Sequence, residues 1–256
     1  MMRRLLFVTA LVASLAPAVV SAQNTTSGNA FSLAVGGSPV EAVVAPGTDR
    51  WYTTRVQPGR SYCAETQGGV EFDASVTAGA IDTSVTVYQA DAATVVVAND
   101  DVVGAEPGGN KLSRACFRSI LPADAIIYVK VSSNAGTFNT RMRFVETTRY
   151  SDWFFLGGDY NAFTLIRNTT NVSLGYTISW RDLTGALAGS LSGTLLPNGG
   201  AAINARGNLS LLPATVSGTV TISHDGPESA VVASTTVLSS TTGLSFDAPF
   251  ETRRPW

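Results

Sequence analysis

The sequence predicts an all-β protein, two β-sandwich domains in tandem behind an export signal. Three observations carry this expectation. Apolar residues recur at period two. Turn-forming residues punctuate the chain at short intervals. No stretch after residue 22 has the apolar period of a long helix.

The signal comes first. Met1-Met2-Arg3-Arg4 is a basic start, residues 5–20 form a nearly unbroken apolar run, and Val20-Ser21-Ala22 places small residues before Gln23. That order is the grammar of a secretory signal, cleaved after Ala22. The run is shorter than the roughly 20 apolar residues of a comfortable membrane span. The expected location is extracellular or periplasmic, with no transmembrane segment in the mature chain.

Removing residues 1–22 takes away Arg3 and Arg4 and no acid, which leaves 15 basic and 19 acidic residues. A mildly acidic chain without a basic run excludes nucleic acid, whose phosphates call for clustered Lys and Arg. Charged residues make up 14% of the chain, against about 25% in typical soluble domains. Solubility therefore falls to Ser, Thr, Asn and Gly.

Cys63 and Cys116 are the two cysteines. In an exported chain two thiols most simply form a disulfide. The alternatives are two free thiols or half of a metal site. Zinc would need two more ligands, and the chain has one histidine.

Strand signals follow in order. Val85 to Tyr88, Ile126 to Val131, the Arg141-Met142-Arg143-Phe144 alternation, Gly218 to Ser223 and Ala230 to Leu238 all read as strands. The clearest is the alternation of Val172, Leu174, Tyr176, Ile178 and Trp180 with small polar residues. Between the strands lie Ala45-Pro46-Gly47, Gln57-Pro58-Gly59, Pro197-Asn198-Gly199-Gly200 and Asp225-Gly226-Pro227. There Gly supplies positive φ and Pro fixes φ. One strand closes at Phe144-Val145, and a new apolar cluster opens at Trp153-Phe154-Phe155. The expected domains are therefore 23–147 and 148–256, after a signal peptide over 1–22.

Residues 40–147 also resemble the bacterial pre-peptidase C-terminal (PPC) domain, a β-sandwich appended to many secreted proteases. Asp49-Arg50-Trp51-Tyr52, then Gln57-Pro58-Gly59-Arg60-Ser61-Tyr62, then Ile81 to Tyr88, then Asn99-Asp100-Asp101, and finally Tyr128-Val129-Lys130-Val131 and Gly136-Thr137-Phe138 carry the likeness in order. The chain departs from that pattern at Arg141-Met142-Arg143, which is charged where the family ends apolar, and in its cysteine pair. Residues 150–256 resemble an immunoglobulin-like module of bacterial surface proteins, through Asn168-Thr169-Thr170, residues 180–185, Leu196-Pro197-Asn198-Gly199 and residues 222–227. Some relatives of the first family bind calcium. The resemblance thus implies convergence of Asp73, Asp82, Asn99, Asp100 and Asp101 as oxygen ligands. The competing reading is that Asp82 and Asn99 cap turns.

Catalytic constellations are scarce. One histidine excludes a His-Glu-x-x-His site. A Ser-His-Asp triad would have to use His224, whose simpler reading is a strand-end residue bonded to a nearby loop. No Gly-x-Ser-x-Gly elbow is present. Aromatic residues offer a binding surface instead, with Trp51, Trp153 and Phe154 as the candidates, because adjacent aromatics on a strand cannot all face inward. The sequence therefore predicts a secreted, non-catalytic binding or adhesion-type protein. It would recognise an extracellular polysaccharide or protein, or assist a secreted enzyme. A self-associating surface protein and a carboxylate-dependent hydrolase are the alternatives.

Overall fold

The structure is a computed structural model that describes residues 24–67, 81–101, 111–208 and 215–253. The expected export signal, Asp73 and Trp256 lie outside the described residues.

The amino-terminal strands are β1 (Phe31–Ser32), β2 (Val40–Val44), β3 (Arg50–Val56), β4 (Ser61–Gln67), β5 (Asp82–Tyr88), β6 (Val95–Asn99), β7 (Arg114–Arg118), β8 (Ala125–Ala135) and β9 (Phe138–Glu146). They form two sheets, ordered β1-β3-β8-β5-β6 and β2-β9-β4-β7. Alternate residues of β3, β5, β7 and β8 face the space between the sheets. Tyr52, Val85, Val87, Ile127, Val129, Val131, Met142 and Phe144 fill it. This is the period-two pattern expressed as burial.

The remaining strands are β10 (Arg149–Leu156), β11 (Tyr160–Asn168), β12 (Leu174–Asp182), β13 (Leu187–Leu195), β14 (Gly200–Asn204), β15 (Val216–His224), β16 (Val231–Ser239), β17 (Ser245–Pro249) and β18 (Glu251–Thr252). A single helical turn, α1 (Ala205–Asn208), follows β14. Their sheets run β13-β12-β15-β10-β18 and β14-β11-β16-β17. Phe154, Tyr176, Ile178, Trp180, Val220, Ile222 and Val237 make a second core. No strand pairing among the described residues joins the two sets. The protein is an all-β sandwich fold.

The strand expected from Val172 begins at Leu174. Asn168 accounts for the difference. It is fully buried, and its Nδ2 donates to the carbonyls of Val172 at 2.6 Å and Leu196 at 3.0 Å, which holds the preceding turn. Such a side chain competes with the ladder for the backbone.

Only Thr147 and Thr148 separate β9 from β10. Both are buried and bonded to β4. The Thr147 N–H donates to the Ser61 carbonyl at 2.8 Å, and Thr148 Oγ1 accepts the Ser61 N–H at 2.9 Å. Cys63 and Cys116 are directly opposite each other on β4 and β7 and form a disulfide.

Candidate functional site

Strand β10 carries an extra residue. Ser151 pairs with Val220 and Phe154 with Gly218, so three steps on β10 oppose two on β15. Such a bulge resets side-chain parity. Gly218, the partner of Phe154, is on its other side pressed against β12, where a Cβ would lie 1.8 Å from the Arg181 carbonyl oxygen. At the bulge Asp152 and Trp153 are turned out, while Phe154 turns in.

This corrects one sequence expectation. Phe154 is fully buried in the second core and is no ligand contact. Trp153 is 37% exposed, as expected. Its companions are Phe155, which belongs to the aromatic cluster read from the sequence, and Phe246 and Tyr160, which sequence reasoning did not single out. The rings of Trp153 and Phe155 are parallel to within 2°, with centroids 6.5 Å apart. Phe246 meets Trp153 edge-on at 6.1 Å and is 50% exposed. Tyr160 meets Phe155 at 5.8 Å. Gly157 leaves room for the Phe155 ring, whose Cζ lies 2.7 Å from where a Cβ would stand. The result is an aromatic platform where β10 approaches β17. Its only sequence signal was the adjacency of three aromatics.

Beside the platform lies a polar cleft of about 450 Å³. One wall is the turn Gln57–Arg60 together with Asp124. The other is the outward face of Ser179, Arg181, Thr219 and Thr221. Arg60, Tyr150 and Asp152 line both this cleft and a second opening of about 430 Å³ that reaches Ala248 and Glu251. The bulge thus puts Asp152 in the cleft and Trp153 on the platform. At the rim, Arg60 ion-pairs with Glu146 at 3.2 Å and lies over the Tyr150 ring. The Tyr150 hydroxyl donates to Glu146. Burial, and next the Glu146 charge, push that phenol well above its ordinary value, so it stays protonated and donating.

The structure also brings Asp82, Asp100 and Asp101 together, with ligand oxygens all within 4.8 Å. As neighbours on a strand, Asp100 and Asp101 would face opposite ways. They lie instead on the bend that follows β6. Asn99 is not seen capping a local turn: its Oδ1 accepts the N–H of Arg114, the first residue of β7, at 3.1 Å. Three carboxylates are the hard oxygen donors calcium prefers. A cation of the chain already lies among them, with Lys111 Nζ 3.5 Å from Asp82 and 3.9 Å from Asp101. Asn134 donates to Asp82 and Asp100.

Trp51 stands apart from the platform. It is half-buried, stacks on Tyr88 at 5.3 Å, and has the Lys130 ammonium 5.9 Å from its ring centroid. His224 ends β15 and is fully buried. Its Nδ1 accepts the Gly226 N–H at 3.3 Å, while Nε2 has no hydrogen-bond partner. Burial, and next the Arg149 guanidinium, lower its pKa to about 4. Among the described residues no helix is long and apolar enough to cross a membrane.

No family model matches the chain, and no curated protein does. Among solved structures, a beta-glucuronidase from glycoside hydrolase family 2 is similar at 12% identity and a TM-score of 0.21, over 78% of this chain and 24% of that one. A calcium binding mutant of Bacteroides uniformis beta-glucuronidase 2 is similar at 10% identity and a TM-score of 0.21, over 90% and 28% respectively. The chain thus spans about a quarter of the length of these structures, and likeness at that score supports no argument about fold or activity.

Proposed function

We propose that this protein is an exported, non-catalytic binding protein that recognises an extracellular polysaccharide. The observation that carries the reading is the platform of Trp153 and Phe246, two exposed rings backed by the partly buried Phe155. Flat aromatic faces suit the apolar faces of sugar rings, and desolvating them supplies most of the affinity. The adjoining cleft offers guanidinium, carboxylate and hydroxyl groups, which match sugar hydroxyls that both donate and accept. The resemblance of residues 40–147 to the PPC domain is in keeping with an accessory role beside a secreted enzyme. Co-sedimentation with insoluble cellulose, chitin, xylan and peptidoglycan tests this. Saturable retention on at least one is expected, and no retention on any of them would overturn the reading.

Self-association is the second reading. It is favoured by the exposed aliphatic residues Leu165 and Val232 on the outer face of β11 and β16. An oligomer at high concentration without added polymer would support it.

For the acidic cluster we propose that Lys111 is the resident cation and calcium a competitor. The melting temperature of the wild-type chain should then be unchanged between chelator and 10 mM calcium. Lys111→Ala should gain about 1.4 kcal/mol from that calcium, taking an extracellular-type Kd of about 1 mM. A wild-type response as large as the variant's would contradict the assignment.

A further inference from the structure

The seam between the two sets of sheets is built around His224. On one side, Cys63 Sγ lies 3.4 Å from the Gly226 carbonyl oxygen, so the disulfide rests on the turn that follows β15. Arg118 of β7 donates to Thr177 of β12 at 2.9 Å. Arg143 of β9 lies 3.7 Å from Glu228, and Arg149 donates to the Glu228 carbonyl. Asp225 accepts the Gly175 N–H at 2.8 Å. Backbone groups of the linker residue Thr147 and of Gly226 lie beside the imidazole and favour its charged form, but burial and the Arg149 guanidinium outweigh them.

The Gly226 N–H points at Nδ1, so that nitrogen carries no proton and the neutral ring bears its proton on Nε2. A second proton would go to Nδ1. It would face the Gly226 N–H with another N–H, break that bond and release the turn against which Cys63 rests. It would also add a positive charge to a buried site that already has the guanidinium groups of Arg149 and Arg118 close by. Asp225 and Glu228, the acids of the same turn, are committed to Gly175 and Arg143.

We propose that the seam is an acid-operated junction: protonation of His224 at Nδ1 displaces the Gly226 turn, parts the two sets of sheets and dismantles the cleft they share. The parting rests on the seam alone. The consequence that a polysaccharide is released at acid pH rests on the reading given under Proposed function.

The direction follows from linkage. In the closed state the ring gains its proton only near pH 4, whereas an exposed imidazole titrates near pH 6.5. The open state therefore binds more protons between these values, and the closed state loses ground as pH falls. The ratio of closed to open should drop by roughly two orders of magnitude from pH 7.5 to pH 4.

The test is small-angle scattering of the full chain from pH 7.5 to 4, with far-ultraviolet dichroism recorded alongside. The radius of gyration should rise reversibly below pH 6 while the strand signal persists, and His224→Gln should stay compact. Because the chain has one histidine, imidazole resonances of the wild-type chain report the protonation directly, even if the variant fails to fold. A ring that titrates without expansion, a radius that is constant across the range, or a folded His224→Gln chain that expands in parallel would overturn the junction. Closed-state compaction that tracks the ring while no polysaccharide binds at any pH would overturn only the release.

Discussion

Phe154→Ala should cost about 3–5 kcal/mol of folding stability, the range for emptying a buried aromatic site, while Trp153→Ala should cost less than about 1 kcal/mol. The two residues are neighbours in sequence and similar in chemistry. The bulge on β10 separates their fates, turning Phe154 into the second core and Trp153 out onto the platform. The ring of Phe154 is enclosed by close-packed strands, and the space left by its removal cannot collapse without moving β10 against β15. Trp153 touches its neighbours through ring faces and edges at the surface. Urea denaturation of both variants checks this. Equal losses would mean that the bulge is misplaced.

Opening the disulfide should cost about 4 kcal/mol, the chain-entropy value for a loop of this length. The sequence separation is 53 residues. Cys63 and Cys116 are already brought together by the ladder between β4 and β7, so the native state changes little when the bond is cut. The loss comes from the unfolded chain, which regains the freedom of the closed loop. With a urea m-value of about 2 kcal/mol/M, the midpoint of the amino-terminal unit should fall by about 2 M. Denaturation with and without reductant, and of Cys63→Ser/Cys116→Ser, measures it. A midpoint that stays in place would show that the bond adds nothing beyond the ladder.

The all-β class was legible because burial on one face of a strand imposes period two, and Tyr176, Ile178 and Trp180 show it without interruption. The disulfide was legible from the expected compartment and the count of thiols. The site was half legible. Three adjacent aromatics announced that some must face out. Which ones they were depended on the register shift where β10 pairs with β15, a non-local pairing that no local pattern encodes. Phe246 and Tyr160 join Trp153 and Phe155 through pairing between strands distant in sequence. Convergence of the acids was implied by the family resemblance alone, and the place of Lys111 among them depends on the bridge between residues 82 and 111. The role of His224 at the seam follows from how the two sets of sheets meet, and a single sequence carries no signal for that.

The central claim is that polysaccharide binds on the aromatic platform. Its most direct measurement is a depletion isotherm of the wild-type chain, Trp153→Ala and Trp51→Ala on the polysaccharide that retains the protein. Trp153→Ala should weaken binding at least tenfold, about 1.4 kcal/mol, and Trp51→Ala should bind as the wild type does. A folded Trp153→Ala chain with an unchanged isotherm would contradict the claim.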